Sequence, residues 1–289
     1  MNRKMYPKQR KNTCYWAGLG LSLLIGGITV NSLPLAAQNI KVPLSDRWVR
    51  VKSTRGQVTY QGLQVRRPAQ TGDRLQAVGE GIDTADRSAS VLDMDSNIGV
   101  IRTAQNTSIR VRRLSILADG ARVTILGLNR GQARLQARRF TNPNSRLEIE
   151  TPAGVAGVRG TDFGVTVNDA GKTAIATQEG AVEVSAQGES VMVNPGFASL
   201  VIPGEPPTPP QQLDKILAFK VRRFQRQGNR VRVRGEVNPT NSVFINGREV
   251  EVDKEGRFFA LVRVAIRPAI RVVVRNPLGE ERSHQLRSF

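Results

Sequence analysis

From residue 50 to about residue 200, apolar and polar positions alternate with a period of two. That period marks a strand with one face buried and the other wet. It predicts strands over Arg50–Val58, Ser90–Met94, Ile98–Thr103, Ser108–Arg112 and Arg122–Leu126. Six more are predicted over Gln132–Ala137, Arg146–Glu150, Gly164–Val167, Thr173–Ala176, Ala181–Ser185 and Ser190–Val193. Turn-forming clusters separate them, among them Asp119-Gly120, Asn129-Arg130-Gly131, Asn142-Pro143-Asn144, Asp169-Ala170-Gly171 and Gln187-Gly188. No window of roughly ten residues carries a helical stripe here. Short strands at intervals of about 8–12 residues make a sandwich, a barrel or a solenoid, so the predicted class is all-β.

Pro203-Gly204-Glu205-Pro206-Pro207-Thr208-Pro209-Pro210 then holds five prolines in eight residues. Proline at this density joins neither a sheet ladder nor a helix interior. The segment reads as an extended, semi-rigid spacer, with the linker at residues 204–212. Beyond it, Arg230-Val231-Arg232-Val233-Arg234-Gly235-Glu236-Val237 puts valines on one strand face and arginines on the other. Ser242–Ile245 runs into Asn246-Gly247, a strong two-residue hairpin signal, and Glu249–Val252 returns. Asp253-Lys254-Glu255-Gly256 turns into a strand over Arg257–Val264, and Ile270–Arg275 with Asn276-Pro277-Leu278-Gly279 closes the unit. This order resembles bacterial immunoglobulin-like modules. The resemblance implies a small β-sandwich over residues 213–289, of a kind that serves as a spacer or binds carbohydrate or protein.

The N-terminus follows a different plan. Arg3, Lys4, Lys8, Arg10 and Lys11 precede an apolar stretch from Trp16 to Val30, and Leu35-Ala36-Ala37-Gln38 offers small residues to a peptidase. Positive, apolar and small in that order describes a secretory signal peptide at residues 1–37, cleaved near Ala37. The competing anchor reading suffers because Gly18, Gly20, Gly26 and Gly27 dilute a stretch short of the ~20 residues a spanning helix needs. Cys14 lies before the apolar stretch, so the mature chain is expected to hold no cysteine and no stable membrane span. The expected location is periplasmic or extracellular.

Charge narrows the partners. The chain carries 43 Lys+Arg against 24 Asp+Glu, a formal net charge of +19. Residues 213–289 hold 17 basic and 8 acidic residues, so the excess is densest there. A basic exported protein is drawn to anionic surfaces: peptidoglycan carboxylates, lipopolysaccharide phosphates, lipid headgroups or acidic polysaccharide. Nucleic acid is not the expected partner, because stacking aromatics do not interleave with the basic residues.

Thr151-Pro152-Ala153-Gly154-Val155-Ala156-Gly157-Val158-Arg159-Gly160-Thr161-Asp162-Phe163 leads, after two alternating strands, to Gln178-Glu179-Gly180-Ala181-Val182-Glu183-Val184. Upstream lie Gly72-Asp73-Arg74-Leu75 and Ser90-Val91-Leu92-Asp93-Met94-Asp95, and downstream Val191-Met192-Val193-Asn194-Pro195-Gly196. Together these resemble the recurring patterns of FecR-type domains, in the family's order, over roughly residues 50–203. The resemblance implies an exported, non-catalytic all-β domain, placed here at residues 38–203. The family-motif residues are Thr151, Pro152, Gly154, Arg159, Gly160, Thr161 and Phe163. Signalling members place a long cytoplasmic arm before a membrane helix. Only about 15 residues precede the apolar stretch here, so sigma-factor signalling is not expected.

Read as chemistry, the same residues are modest. Gly154, Gly157 and Gly160 suit a tight crossover, and no phosphate-loop pattern accompanies them. Arg159 is expected to pair with Asp162 or Glu179, the alternative being that it binds an anionic ligand, and Phe163 is expected to sit in the core. The arginine faces, Arg230, Arg232 and Arg234 on one strand and Arg271 and Arg275 on another, are candidate anion-binding residues, since guanidinium forks fit phosphate and carboxylate. A solvated sandwich face is the alternative. Asp93-x-Asp95-x-Asn97 begins like a calcium loop but lacks the later ligands, which favours a turn. His284, the sixth residue counting back from the C-terminus, is expected in a frayed region and outside any triad. No catalytic residue, metal or cofactor is expected. Two functions remain: a non-enzymatic envelope protein that binds or scaffolds at anionic polymers or protein partners, and a ligand-sensing subunit working with a separate membrane partner. An enzymatic, polysaccharide-modifying reading ranks last.

Overall fold

The computed structural model describes residues 47–264 and 269–287. The expected signal peptide, its cleavage site and Cys14 lie outside the described residues. Eight strands come first: β1 (Val49–Arg55), β2 (Val58–Gln61), β3 (Arg66–Pro68), β4 (Arg74–Leu75), β5 (Gly81–Thr84), β6 (Ala89–Met94), β7 (Gly99–Thr103) and β8 (Ser108–Ile116). The long β9 (Arg122–Ala137) follows, then β10 (Arg146–Glu150), β11 (Val155–Val158), β12 (Asp162–Val167) and β13 (Thr173–Glu179). β14 (Val182–Ala186), β15 (Glu189–Val193), β16 (Phe197–Val201) and β17 (Gln211–Gln212) complete this part. No α-helix occurs among the described residues, and the protein is all-β as its alternation predicts.

The strands make two sheets that share one member. Hydrogen-bonded neighbours in the first run β4–β1–β6–β7–β9–β12–β13–β16–β17. In the second they run β3–β2–β5–β8–β9–β10–β11–β14–β15. The N-terminal half of β9 pairs with β8 and, in parallel over Val123–Gly127, with β10. Its C-terminal half, Gly131–Ala137, pairs with β7 and β12. The sequence pattern breaks this strand in two at Asn129-Arg130-Gly131, but Arg130 is still paired with Ser108. Gly131, at φ +88°, bends the strand instead of ending it, and a Cβ there would lie 2.4 Å from the Thr107 Cα. Conversely, the stretch expected as one strand over Arg50–Val58 is two, one in each sheet, divided at Gly56 with φ +74°.

Between the sheets lies one apolar core. Leu92, Ile101, Leu135 and Phe163 from the first meet Ile109, Leu126, Leu147 and Val184 from the second. A buried charge sits among these elements. Arg47 is 1% exposed and every guanidinium N–H is used. It donates to Asp95 (3.0 Å), to the Ser115 and Val123 carbonyls and to Thr124 Oγ1, while Arg122 also reaches Asp95 at 3.0 Å.

The C-terminal part has β18 (Lys220–Gln227), β19 (Arg230–Glu236), β20 (Ser242–Ile245), β21 (Arg248–Val250), β22 (Arg257–Arg263), β23 (Ala269–Arg275) and β24 (Glu281–Arg287). A third sheet, β18–β19–β22, and a fourth, β21–β20–β23–β24, enclose a second core built on Val231, Val233, Val243, Ile245, Val272 and Val274. Asn246 and Gly247 have φ +50° and +83° and form the predicted two-residue hairpin between β20 and β21. The expectation that His284 lies in a frayed end is corrected. It pairs with Val272 inside β24, and its ring packs 4.8 Å from Phe219, with Nε2 3.1 Å from the Leu217 carbonyl.

The proline-rich segment is extended, yet it does not stand free. Thr208 donates its N–H to Leu200 (2.8 Å), Ser199 Oγ donates to the Thr208 carbonyl (2.7 Å), and β17 pairs with β16. Leu213 and Leu278 then pack on Ala176 and Ala198 of the first sheet's outer face. Gln132 Nε2 donates to the Asn276 and Pro277 carbonyls, each at 2.9 Å, and a Cβ on Gly164 would lie 1.9 Å from the Pro277 oxygen. The described residues, 47–264 and 269–287, therefore form one compact unit.

Asp95→Ala leaves Arg47 charged and buried without its carboxylate, and denaturant unfolding is expected to show a loss of about 3–5 kcal/mol. Gly164→Ala overpacks the seat of the Pro277 turn and is expected to cost about 1–3 kcal/mol, with faster proteolysis at residues 276–279.

Candidate functional site

The outer face of the third sheet gathers three of the sequence-predicted residues. Alternation along β19 turns Val231 and Val233 into the core and leaves Arg230, Arg232 and Arg234 exposed. Register adds what the linear pattern does not show. Arg223 of β18 lies directly opposite Arg234, and Arg263 of β22 lies directly opposite Arg230. Like charges opposed across a ladder are destabilising. The nearby acids do not relieve them: Glu236 is taken by Arg222 (2.6 Å), Asp253 and Glu255 by Arg257 (2.8 and 2.9 Å), and Glu251, which lines the groove beside Arg234 and Phe259, makes no ion pair with any of the five. The Arg222 hydrogen bond holds the Glu236 carboxyl below its usual range. Among the described residues, Arg223, Arg230, Arg232, Arg234 and Arg263 have no acidic partner.

Two large apolar side chains lie among these arginines. Phe259, opposite Arg234, is 52% exposed, and Leu261, opposite Arg232, is 50% exposed. Arg234 stacks its guanidinium 5.5 Å from the Phe259 ring centroid. β18, which supplies Arg223, is hidden from the alternation, because Lys220-Val221-Arg222-Arg223-Phe224-Gln225-Arg226-Gln227 does not alternate. A bulge between Val221 and Arg223 explains the broken pattern.

Arg271 and Arg275 are not brought to this face. They lie on β23 in the fourth sheet, across the second core from β19. Arg271 donates to Ser283 Oγ (3.0 Å), while Arg275 is paired with Glu281 (2.8 Å) and stacked over Phe244 (4.6 Å). Arg275 instead lines a cleft of about 470 Å³ with Arg55, Arg87, Arg102 and Arg134 from the N-terminal part. Arg102 is directly opposite Arg134 there and donates to Gln136. Arg134 grips Asp162 through two bonds of 2.8 and 2.9 Å. Burial pushes Asp162 up, but the bonds from Arg134 and Gln136 prevail and hold its carboxyl low.

That geometry overturns the expected partner of Arg159, which is exposed and makes no ion pair with Asp162 or Glu179; Asp162 belongs to Arg134. The other motif residues shape the chain. Thr151 exchanges hydrogen bonds with Gly154 to close the β10–β11 loop around exposed Pro152. Gly160 takes φ +105°, with Arg139 Cα 2.4 Å from where a Cβ would stand, and Thr161 and Phe163 are buried. Gly157 sits inside β11, in a stretch expected to be a crossover. Asp93 pairs with Arg50 and Lys52, while Asp95 faces Arg47, so the two aspartates do not converge. Among the described residues no cluster of three or more His, Cys, Asp or Glu could hold a metal, and no helix is long and apolar enough to cross a membrane.

Where the C-terminal part meets the first sheet, Lys172 is largely buried and donates to the Pro239 and Val252 carbonyls at 3.1 and 2.7 Å. Burial pulls its ammonium from 10.5 down to about 8.

Residues 82–183 match the model of the family described as FecR protein. No curated protein matches the chain. Two crystal structures of a Parabacteroides distasonis protein described as an anti-sigma factor are similar, each at 14% identity. Each covers 51% of this chain and 68% of that one, with a TM-score of 0.40. A polysaccharide lyase is similar at 11% identity over 84% of this chain and 40% of its own, with a TM-score of 0.20. The basic face of the third sheet lies outside the matched residues 82–183.

Because Lys172 gives up its proton near pH 8 when folded and near 10.5 when unfolded, the unfolded chain binds more protons between those values. Stability is therefore expected to rise from about pH 8 to about pH 10.5. Denaturation midpoints of wild type and Lys172→Met across that range check this, the variant lacking the rise.

Proposed function

We propose that this chain is a non-enzymatic exported cell-envelope protein that binds an anionic envelope polymer, peptidoglycan or lipopolysaccharide, through the outer face of its third sheet. The observation that carries the reading is the set of five arginines without acidic partners among the described residues, two pairs of them directly opposed across the ladder. A face that repels itself is relieved by an anion from outside, and Arg forks suit phosphate and carboxylate. Residues 213–289 are on this reading the immunoglobulin-like binding module, and residues 38–203 the FecR-like domain that carries it. The signal-peptide pattern at residues 1–37 supports a periplasmic or extracellular location.

A second reading is a ligand-sensing subunit that reports to a separate membrane partner. The match of residues 82–183 to the FecR protein model favours it. Its ligand would enter the arginine-lined cleft between the first sheet and β23, and its partner would be an envelope protein.

Co-sedimentation with isolated peptidoglycan sacculi and with lipopolysaccharide tests the first reading. Binding is expected at low salt, with steep loss at high salt. The Arg230→Gln/Arg232→Gln/Arg234→Gln variant is expected to bind at least about tenfold more weakly, each charge near an anionic surface contributing about 1 kcal/mol. No binding to either polymer at low salt turns the search to a protein partner.

A further inference from the structure

We infer that the third sheet's outer face docks on a surface of phosphate-bearing lipids, its arginines on the headgroups and Phe259 and Leu261 among the acyl chains. This rests on the anion-binding reading of the same face and names its partner. A hydrated glycan offers anions but no apolar phase, so it leaves Phe259 and Leu261, 52% and 50% exposed, in water. A lipid surface satisfies both halves of the patch. Binding at such an interface grows with the apolar area it buries and with electrostatic attraction to anionic headgroups.

The placement suits that arrangement. Phe259 and Leu261 are alternate residues of β22, so both side chains leave the sheet on one face. Their cross-strand neighbours on that face are Arg234 and Arg232, with Arg223 and Arg230 beyond. The apolar pair is thus flanked by guanidinium groups on long stems that reach headgroup phosphates while the rings and methyls go deeper. The acids Glu236, Asp253 and Glu255 are engaged by Arg222 and Arg257, and Glu251 lines the groove at the same end of the sheet, so acids face the contact at that end alone.

The test uses residues 43–289, which span the compact unit, so that the apolar N-terminal stretch contributes nothing. Three probes are compared: phosphatidylglycerol–phosphatidylcholine vesicles, phosphatidylcholine vesicles and soluble polyphosphate. Phe259→Ser/Leu261→Ser is expected to weaken binding to the anionic vesicles about tenfold and to leave polyphosphate binding within about twofold. Arg230→Gln/Arg232→Gln is expected to weaken both. Phe259→Trp is expected to show a blue-shifted emission with anionic vesicles and none with polyphosphate. Both substituted side chains are half exposed, and equal denaturation midpoints verify that the variants fold. Wild-type vesicle binding by the serine variant, or an unshifted tryptophan, overturns the lipid inference and leaves the anion reading standing. Failure of the wild type to bind anionic vesicles while it binds polyphosphate or sacculi overturns the lipid inference alone, and failure to bind any of the three overturns both.

Discussion

Two sheets of the N-terminal part hang on one strand. β9 lends its first half to one sheet and its second half to the other, so the strands flanking it on both sides take their register from a common backbone. Side chains alternate along a strand, and a slip of one residue would turn its apolar set away from the core. Because Leu126, Leu128, Ala133 and Leu135 are all buried in the same core, such a slip is penalised in both sheets together. Gly131 makes the passage possible by accepting a left-handed backbone where Thr107 leaves no space for a side chain. The buried Arg47–Asp95 pair, with the half-exposed Arg122 at its rim, fixes the neighbouring corner, where β8, β9 and the turn after β6 converge.

Much of this is visible in the chain's alternation, and what is hidden is hidden for definite reasons. Strands such as β6, β10 and β15 have one wet and one dry face, and period two reports them. β18 is masked by its bulge and its charges. β2 to β5 are short pieces of two to four residues whose pairing is spatial. The glycine of β9 reads as a turn because positive φ serves turns and bends alike. For the basic face, Arg230, Arg232 and Arg234 are legible from one strand, but Arg223 and Arg263 join them only through register. Arg275 belongs by sequence pattern to the same class of residue, yet its pairing with Glu281 sets it apart.

The motif that resembles FecR-type domains is mostly architecture. Thr151 and Gly154 close a loop, Gly160 answers a close approach by Arg139, and Phe163 fills the core. Residues with such duties identify how the backbone runs. They say less about what the surface meets.

The docked proline segment and the seat of Pro277 on Gly164 have a mechanical meaning. A domain on a free tether would swivel, and its neighbour's orientation would be averaged away. Here β16–β17 pairing, the Gln132 bonds and the Leu213–Leu278 contact act as clamps at separate points, so torque applied to the third sheet is carried into the first. Held by that face, the molecule would stand on its support in one pose, offering the same rim of its N-terminal sandwich to whatever passes above.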